Sequence, residues 1–91
     1  MKPGLWEAVM ERDRVCVLSF LEPGHECRTR WGTPHGPDQY LTLEHVKPDL
    51  AMGIRKTDDA RWCVALCGAA NAQPPTKAQR QAMRRYLSEL P

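Results

Sequence analysis

Glycine and proline residues in the first half of the chain most limit what it can fold into. Residues 22–39 contain four breaks at which no helix or strand continues, at Pro23-Gly24, Gly32, Pro34 and Gly36-Pro37. We therefore predict a long loop there, tied down by Trp31. One domain is expected over residues 1–91, because a second core would leave each half too little apolar surface to bury. So small a chain with so much loop usually organises itself around a metal or a partner.

Before this loop, the sequence predicts two short elements. Apolar residues recur at helical spacing at Trp6, Val9 and Met10, which predicts a helix over residues 5–12 with these side chains facing the core. The apolar run at residues 16–18 predicts a short strand.

After the loop, the pattern predicts a hairpin followed by a helical turn. Apolar and polar residues alternate over residues 41–46, which predicts a strand that Pro48 ends. Residues 49–59 are rich in turn formers, and the apolar, partly β-branched run 62–66 predicts the next strand. Small residues at 68–72 predict a helical turn packed against something bulky.

The C-terminal segment predicts a capped amphipathic helix. The proline pair at 74–75 prevents a helix from continuing, Thr76 can cap the next one, and Gln79 completes a capping box. Apolar residues then form one stripe, made of Ala82, Met83, Tyr86, Leu87 and Leu90. Other faces of the helix are basic and carry Lys77, Arg80 and Arg84. The predicted fold class is therefore a small α+β domain.

Composition excludes a membrane protein and gives only a weak hint of a polyanionic partner. No run approaches the roughly 18 apolar residues that span a bilayer, and residues 1–14 lack a signal peptide, so a soluble cytoplasmic protein is expected. The net charge of +2 is too small to indicate nucleic-acid binding by itself. Its distribution is more informative, because residues 77–85 contain four cations and no acid.

Glu44 and His45 are the residues best suited to chemistry. A carboxylate is a hard oxygen ligand that suits Mg²⁺ and similar ions, and an imidazole can take a proton from water near neutral pH. Neighbouring side chains of a regular strand point to opposite faces, so the two share one site only if the strand bends or ends there. An acidic residue beside a histidine is also common as a solvated surface pair.

The order of motifs over residues 41–77 resembles that of the HNH endonucleases of the ββα-metal group. Leu43-Glu44-His45-Val46 is followed, after a variable loop, by Val64-Ala65-Leu66-Cys67, three residues, Asn71 and the segment Pro75-Thr76-Lys77. In that family a strand carries an acid and then the histidine base, and the second strand leads through Leu-Cys to a terminal His or Asn. Asn71 fits that terminal ligand position. Small stand-alone HNH proteins of bacteriophages resemble the chain as a whole.

The resemblance implies a ββα-metal core, flanked by N- and C-terminal helices, that nicks one DNA strand per site. Glu44 and Asn71 would hold one divalent cation, Mg²⁺, Mn²⁺ or Ni²⁺, and His45 would deprotonate the attacking water. The basic side chains of the last helix, Lys77, Arg80 and Arg84, would contact phosphates. Phage packaging proteins such as terminase are candidate partners besides DNA, and localisation would be the host cytoplasm.

The sequence departs from the family pattern at two positions. Trp62 stands where the family has the middle asparagine that helps to hold the histidine. Ala70 stands where the second cysteine of a structural zinc knuckle would be, so Cys67 lacks a partner at the usual spacing.

The cysteines do not form a recognisable zinc motif. Cys16, Cys27, Cys63 and Cys67 could gather into one tetrahedral site, but spacings of eleven and four residues match no common zinc pattern. The sequence therefore predicts buried thiols and less than one equivalent of zinc. The loop histidines His25 and His35 are predicted to have no role beyond an occasional phosphate or ligand contact.

Two other functions fit parts of the sequence. One is a nuclease-derived module that binds DNA or a partner protein without cutting, which agrees with Trp62. The other is a zinc deaminase, suggested by His25-Glu26-Cys27 with Cys63 and Cys67. That chemistry needs a His-x-Glu and a Cys-x-x-Cys, and neither spacing is present.

Overall fold

The computed structural model describes residues 3–46, 59–73 and 75–90. In chain order these form α1 (Leu5–Asp13), α2 (Leu18–Leu21), β1 (Leu41–His45), a 3-10 turn (Ala60–Trp62), β2 (Cys63–Cys67), α3 (Gly68–Ala72) and α4 (Lys77–Ser88). The predicted α+β class is confirmed, because the described strands form one antiparallel sheet among helices. Most of the predicted loop over residues 49–59, and Pro48, lie outside the described residues.

The hairpin joins β1 and β2 in a register that places Leu41 opposite Cys67 and His45 opposite Cys63. All residues of β2 are buried, whereas those of β1 are half-buried. Both predicted strands are confirmed, but the second begins one residue later than predicted because Trp62 belongs to the 3-10 turn. The short helix predicted directly after the hairpin is confirmed as α3.

Neighbouring residues of β2 face opposite sides of the sheet, so the sheet separates two apolar clusters. The larger cluster contains Val64 and Leu66, and it packs against Met83 of α4. The smaller cluster contains Cys63 and Ala65, and it packs against α1. Strand β2 is therefore covered on both faces, which explains its nearly continuous apolar sequence.

Helix α1 confirms the predicted element but buries a different face. Leu5 and Val9 are buried, whereas Trp6 is 43% exposed. The packed face continues one turn beyond Val9 to Asp13, which is also buried. The predicted core position of Trp6 was therefore wrong, because the stripe runs through residues 5, 9 and 13.

Asp13 is a buried carboxylate that joins three elements. Its oxygens accept hydrogen bonds from the backbone N–H of Ala65 at 2.9 Å and from the hydroxyl of Tyr86 at 2.6 Å. Arg12 forms an ion pair with it, with Nε 2.7 Å from Oδ1. Burial raises the pKa of Tyr86 to about 12, and the hydrogen bond to Asp13 acts in the same direction. The carboxylate thus holds α1, β2 and α4 together.

Residues 16–18 do not form the predicted strand. Val17 donates one backbone hydrogen bond to the carbonyl of Ala65, and the chain then turns into α2. The N–H of Leu21 donates to the carbonyl of Val17 at 2.9 Å. A short apolar run has no periodicity that separates strand from helix, so the buried side chains were compatible with either.

Helix α4 has the predicted start. Thr76 accepts a hydrogen bond from the N–H of Gln79, and the Gln79 side chain accepts one from the N–H of Thr76, which confirms the capping box. Met83 is buried in the larger cluster. Over the described residues, no helix is both long and apolar enough to cross a membrane.

Candidate functional site

Four potential metal ligands from three separate parts of the chain meet beside the end of β2. They are Cys16, His25, Cys27 and Cys67, and one ligand atom from each lies within 4.8 Å of the others. His25 Nε2 is 3.7 Å from the sulfur of Cys16 and 3.6 Å from that of Cys67. Ordinary Zn–S and Zn–N bond lengths in a tetrahedron give sulfur–nitrogen edges of about 3.6 Å. We call this set the Cys3His cluster, and it can hold a metal ion.

Each ligand of the Cys3His cluster is positioned by local structure. Cys16 lies before α2, and its N–H donates to the carbonyl of Pro37 at 2.8 Å. Cys67 is the last residue of β2 and the N-cap residue of α3. His25 and Cys27 lie on the loop after α2, where the N–H of His25 donates to the carbonyl of Glu22 at 3.1 Å.

A carboxylate orients the histidine of the cluster. His25 Nδ1 lies 3.4 Å from an oxygen of Glu22, so Nε2 is the ring nitrogen that faces the sulfurs. Histidine ligands of metals usually make such a bond with their second nitrogen. Glu22 in turn accepts a hydrogen bond from the side chain of Gln79 at 3.1 Å. The cluster is therefore connected to the capping box of α4.

The cluster is chemically suited to a soft cation. All its cysteines are buried and none forms a disulfide. Burial raises the pKa of the Cys16 thiol and raises that of Cys27 to about 12. Three sulfurs and one imidazole are ligands that zinc prefers and magnesium does not.

The sequence predicted buried thiols and left open a site made of all four cysteines; burial of the thiols is confirmed, but the cluster that forms has a different membership. His25 takes the place that the sequence gave to Cys63, which lies on the other side of the sheet in the smaller apolar cluster. The expectation of less than one equivalent of zinc loses its basis, because four ligands are present. The His25-Glu26-Cys27 spacing was the available signal. Only the fold shows that Cys16 and Cys67 lie beside His25 and Cys27.

The predicted catalytic pair lies at the end of β1. Glu44 pairs with Val64 and His45 with Cys63, and both Glu44 and His45 are half-buried. Successive residues of a strand face opposite sides, so Glu44 shares a face with Thr42, while His45 faces the side of the smaller cluster.

Asn71 lies in α3 and contacts β1 directly. Its amide nitrogen donates to the hydroxyl of Thr42 at 2.9 Å and to the carbonyl of Leu43 at 3.1 Å. These bonds use both amide hydrogens and fix the orientation of the group, which leaves the carbonyl oxygen as its ligand atom. The structure thus brings Asn71 to the strand that carries Glu44 and to the face that Glu44 shares with Thr42.

The predicted phosphate contacts all lie on α4 but differ in exposure. Lys77 is exposed, whereas Arg80 and Arg84 are half-buried. Arg80 donates from Nε to the carbonyl of Pro75 at 3.4 Å. The two arginines are therefore packed along the helix rather than freely solvated.

Trp62, which the resemblance to HNH nucleases aligns with that family's middle asparagine, lies at the end of the hairpin. It is half-buried, and its carbonyl accepts a hydrogen bond from the N–H of Val46 at 2.6 Å. This bond extends the hairpin by one residue beyond His45. The position therefore contributes its main chain to the end of the hairpin beside the predicted pair.

Comparisons with models of protein families, with curated proteins and with solved structures give no match to this chain.

Proposed function

We propose that the chain is a divalent-metal-dependent nuclease of the HNH type that hydrolyses phosphodiester bonds in DNA. One observation carries the proposal: the helix that follows the hairpin packs Asn71, the only asparagine of the chain, onto the strand that bears Glu44. Strand, strand and helix occur in the order of a ββα-metal motif. The ligand candidates come from the strand and the helix, as that motif requires.

The residues at this site suit a hard cation. A carboxylate from Glu44 and the amide oxygen of Asn71 would hold one Mg²⁺, Mn²⁺ or Ni²⁺ ion, since both are oxygen ligands. The bound ion supplies stabilisation of the negative charge that builds on the leaving oxygen. Asn71 fits this assignment because its amide hydrogens are already engaged by β1.

His45 is the general base in this proposal, which requires the chain to bend at His45, the last residue of β1, so that its ring reaches the face that Glu44 shares with Asn71. A neutral imidazole accepts a proton from water at one ring nitrogen. His45 is half-buried and is the last residue of β1. With Trp62 in place of the family's middle asparagine, the partner that orients the ring differs from the family's.

The Cys3His cluster holds a zinc ion with a structural role in this proposal. Four protein ligands fill a tetrahedral shell, so no position is open for substrate. Cys67 is also the N-cap residue of α3, so a zinc ion held by Cys67 would fix the start of the helix that carries Asn71. The protein would then hold two ions of different chemistry, one for the fold and one for the reaction.

A supercoiled-plasmid assay tests the proposal. Purified protein is incubated with plasmid in Mg²⁺, Mn²⁺ or Ni²⁺, and nicked circles are expected before linear product, because one site cuts one strand. A Glu44→Gln variant, with its zinc content measured to show that it is folded, should lose most of this activity. Folded protein that nicks plasmid with none of the ions would refute the nuclease proposal.

A non-cutting DNA-binding module is the second candidate. Trp62 favours it, because the family's middle asparagine helps to hold the base. The plasmid assay separates the two, since such a module binds DNA and leaves it supercoiled. A zinc deaminase is disfavoured, because the cluster has four protein ligands and its Glu26 is exposed and paired with Arg28 at 2.9 Å.

A further inference from the structure

We propose that a groove beside α3 binds an unpaired nucleotide of a single-stranded nucleic acid next to the bond that is cut. The groove has a volume of about 540 Å³, within the usual 300–1,000 Å³ of ligand sites. Arg30, Trp31 and Tyr40 line it together with Thr42 and Asn71, and none of the described residues that line it is acidic. The link to cleavage rests on the proposed function, whereas the binding itself can be measured alone.

The aromatic side chains of the groove are unusually exposed. Trp31 is 82% exposed and Tyr40 is 69% exposed, although burial of either ring would stabilise the fold. The prediction that Trp31 ties down the loop was therefore wrong. The guanidinium carbon of Arg30 lies 4.9 Å from the centre of the Trp31 ring. A flat cation and a ring are thus presented together at the mouth of the groove.

The loop that carries Arg30 and Trp31 is held in place before any ligand binds. The N–H of Thr29 donates to the carbonyl of Thr33 at 2.8 Å, and the hydroxyl of Thr29 accepts from the N–H of Trp31 and of Thr33. A β-carbon added to Gly68 would lie 2.9 Å from the backbone nitrogen of Arg30. The loop therefore packs directly on the first residue of α3, so binding would order few groups.

Tyr40 also lines the groove and has an unfavourable backbone conformation. Its φ of 51° lies in the left-handed region, which is uncommon for a bulky residue. Its ring meets that of His35 edge to face, with centroids 5.2 Å apart. A strained residue with an exposed ring indicates that the surrounding structure fixes its position.

These features favour a nucleotide over a peptide. Exposed ring faces stack on bases of any sequence, and an arginine beside them attracts the phosphate. In duplex DNA the base faces are already stacked, so only an unpaired base can use the rings. Asn71 lines the groove and is also a proposed metal ligand, so the stacked nucleotide would adjoin the scissile phosphate.

Binding of a fluorescein-labelled oligothymidylate, followed by anisotropy without added divalent cation, tests this inference. Trp31→Ala should weaken binding by about 5- to 150-fold, the effect of losing one stacked base, and Trp31→Phe should retain most of it. Phe20→Ala is the matched control, because Phe20 is 51% exposed and its ring packs at a tilt against Tyr86, outside the groove. Equal losses in Trp31→Ala and Phe20→Ala, or no loss in either, would overturn the proposal.

Two further arms separate this inference from the nuclease proposal. A duplex of the same length should bind more weakly, and its affinity should not depend on Trp31. Duplex binding that depends on Trp31 overturns the inference, and so does binding of a proline-rich peptide in place of the oligonucleotide. If oligonucleotide binding depends on Trp31 but the protein nicks no plasmid, nucleotide binding in the groove is supported and the nuclease proposal is refuted. If the protein nicks plasmid but its affinity for the oligonucleotide does not depend on Trp31, the nuclease proposal is supported and nucleotide binding in the groove is refuted.

Discussion

The Cys3His cluster and the Glu44–His45 pair of β1 lie toward opposite ends of β2, and the site that this pair forms with Asn71, here called the hairpin site, is built differently from the cluster. Cys67 ends the strand, whereas Glu44 and His45 pair with the residues at its beginning. The cluster draws four ligands from distant parts of the chain and buries its sulfurs. The hairpin site combines two neighbours on β1 with Asn71 of α3, and all three residues are half-buried. A closed, buried ligand set suits an ion kept for stability, and an open one suits an ion that must meet substrate.

The largest expected effect is on the cluster. The protein should purify with one equivalent of zinc and unfold when a strong chelator removes it, because the roughly 10–16 kcal/mol of structural zinc binding is comparable to or larger than the stability of a small domain. Elemental analysis and circular dichroism measure the two quantities. Cys67→Ser should lose the ion.

The matched control for that prediction is Cys63→Ala, which alters a buried cysteine outside the cluster. It should keep one equivalent of zinc. If wild-type protein is folded without bound zinc, the Cys3His cluster is not a structural metal site and the contrast with the hairpin site no longer holds.

That contrast also explains what the sequence could predict. The hairpin, α3 and the capped α4 follow from local patterns, since alternation, small residues and the Thr76–Gln79 pair each act within a few positions. The Cys3His cluster follows from long-range packing, because Cys16 and Cys67 are 51 residues apart. His25 in a glycine-rich loop carries no periodic signal, and the exposure of Trp31 depends on how that loop packs on Gly68.

The second-largest effect, a loss of cleavage activity, is expected at the hairpin site. His45→Ala removes the proposed base but leaves Glu44 and Asn71, so cleavage should fall by roughly 10²- to 10⁴-fold while divalent-cation affinity persists. Asn71→Ala should instead weaken cation binding, and excess ion should partly restore its activity. Plasmid nicking against cation concentration measures both. Cleavage by His45→Ala at the parent rate would contradict the assignment of the base.

A smaller effect is expected at the carboxylate that joins the two sides of the sheet. Tyr86→Phe leaves Asp13 with one fewer donor and should cost about 1–3 kcal/mol in the free energy of unfolding, measured with urea. Because folding raises the pKa of Tyr86 from 10 to about 12, its contribution is complete below pH 10 and is lost as pH rises toward 12. The variant should lack this alkaline loss; an identical loss in the variant would show that Tyr86 is not its source.

The smallest loss of folding stability is expected for substitutions of the basic residues on α4. Replacing Arg80 and Arg84 together by glutamine should weaken binding to all DNA sequences about equally and flatten its salt dependence. Their half-buried stems add a modest stability cost beyond the roughly 0.5 kcal/mol of exposed sites. Arg14→Gln with Arg61→Gln is the control for total charge. If both double variants show the same salt dependence of DNA affinity, α4 does not contact phosphates and its role is structural.

The close approach at Gly68 also bears on how this chain can evolve. A side chain there would collide with the backbone at Arg30, so residue 68 and the backbone path of the loop can change only together. Neither the cluster nor the hairpin site requires a glycine at that position. Natural variants should therefore keep glycine at 68 while the tip of the loop diversifies, so that one packed contact allows new specificities on an unchanged frame.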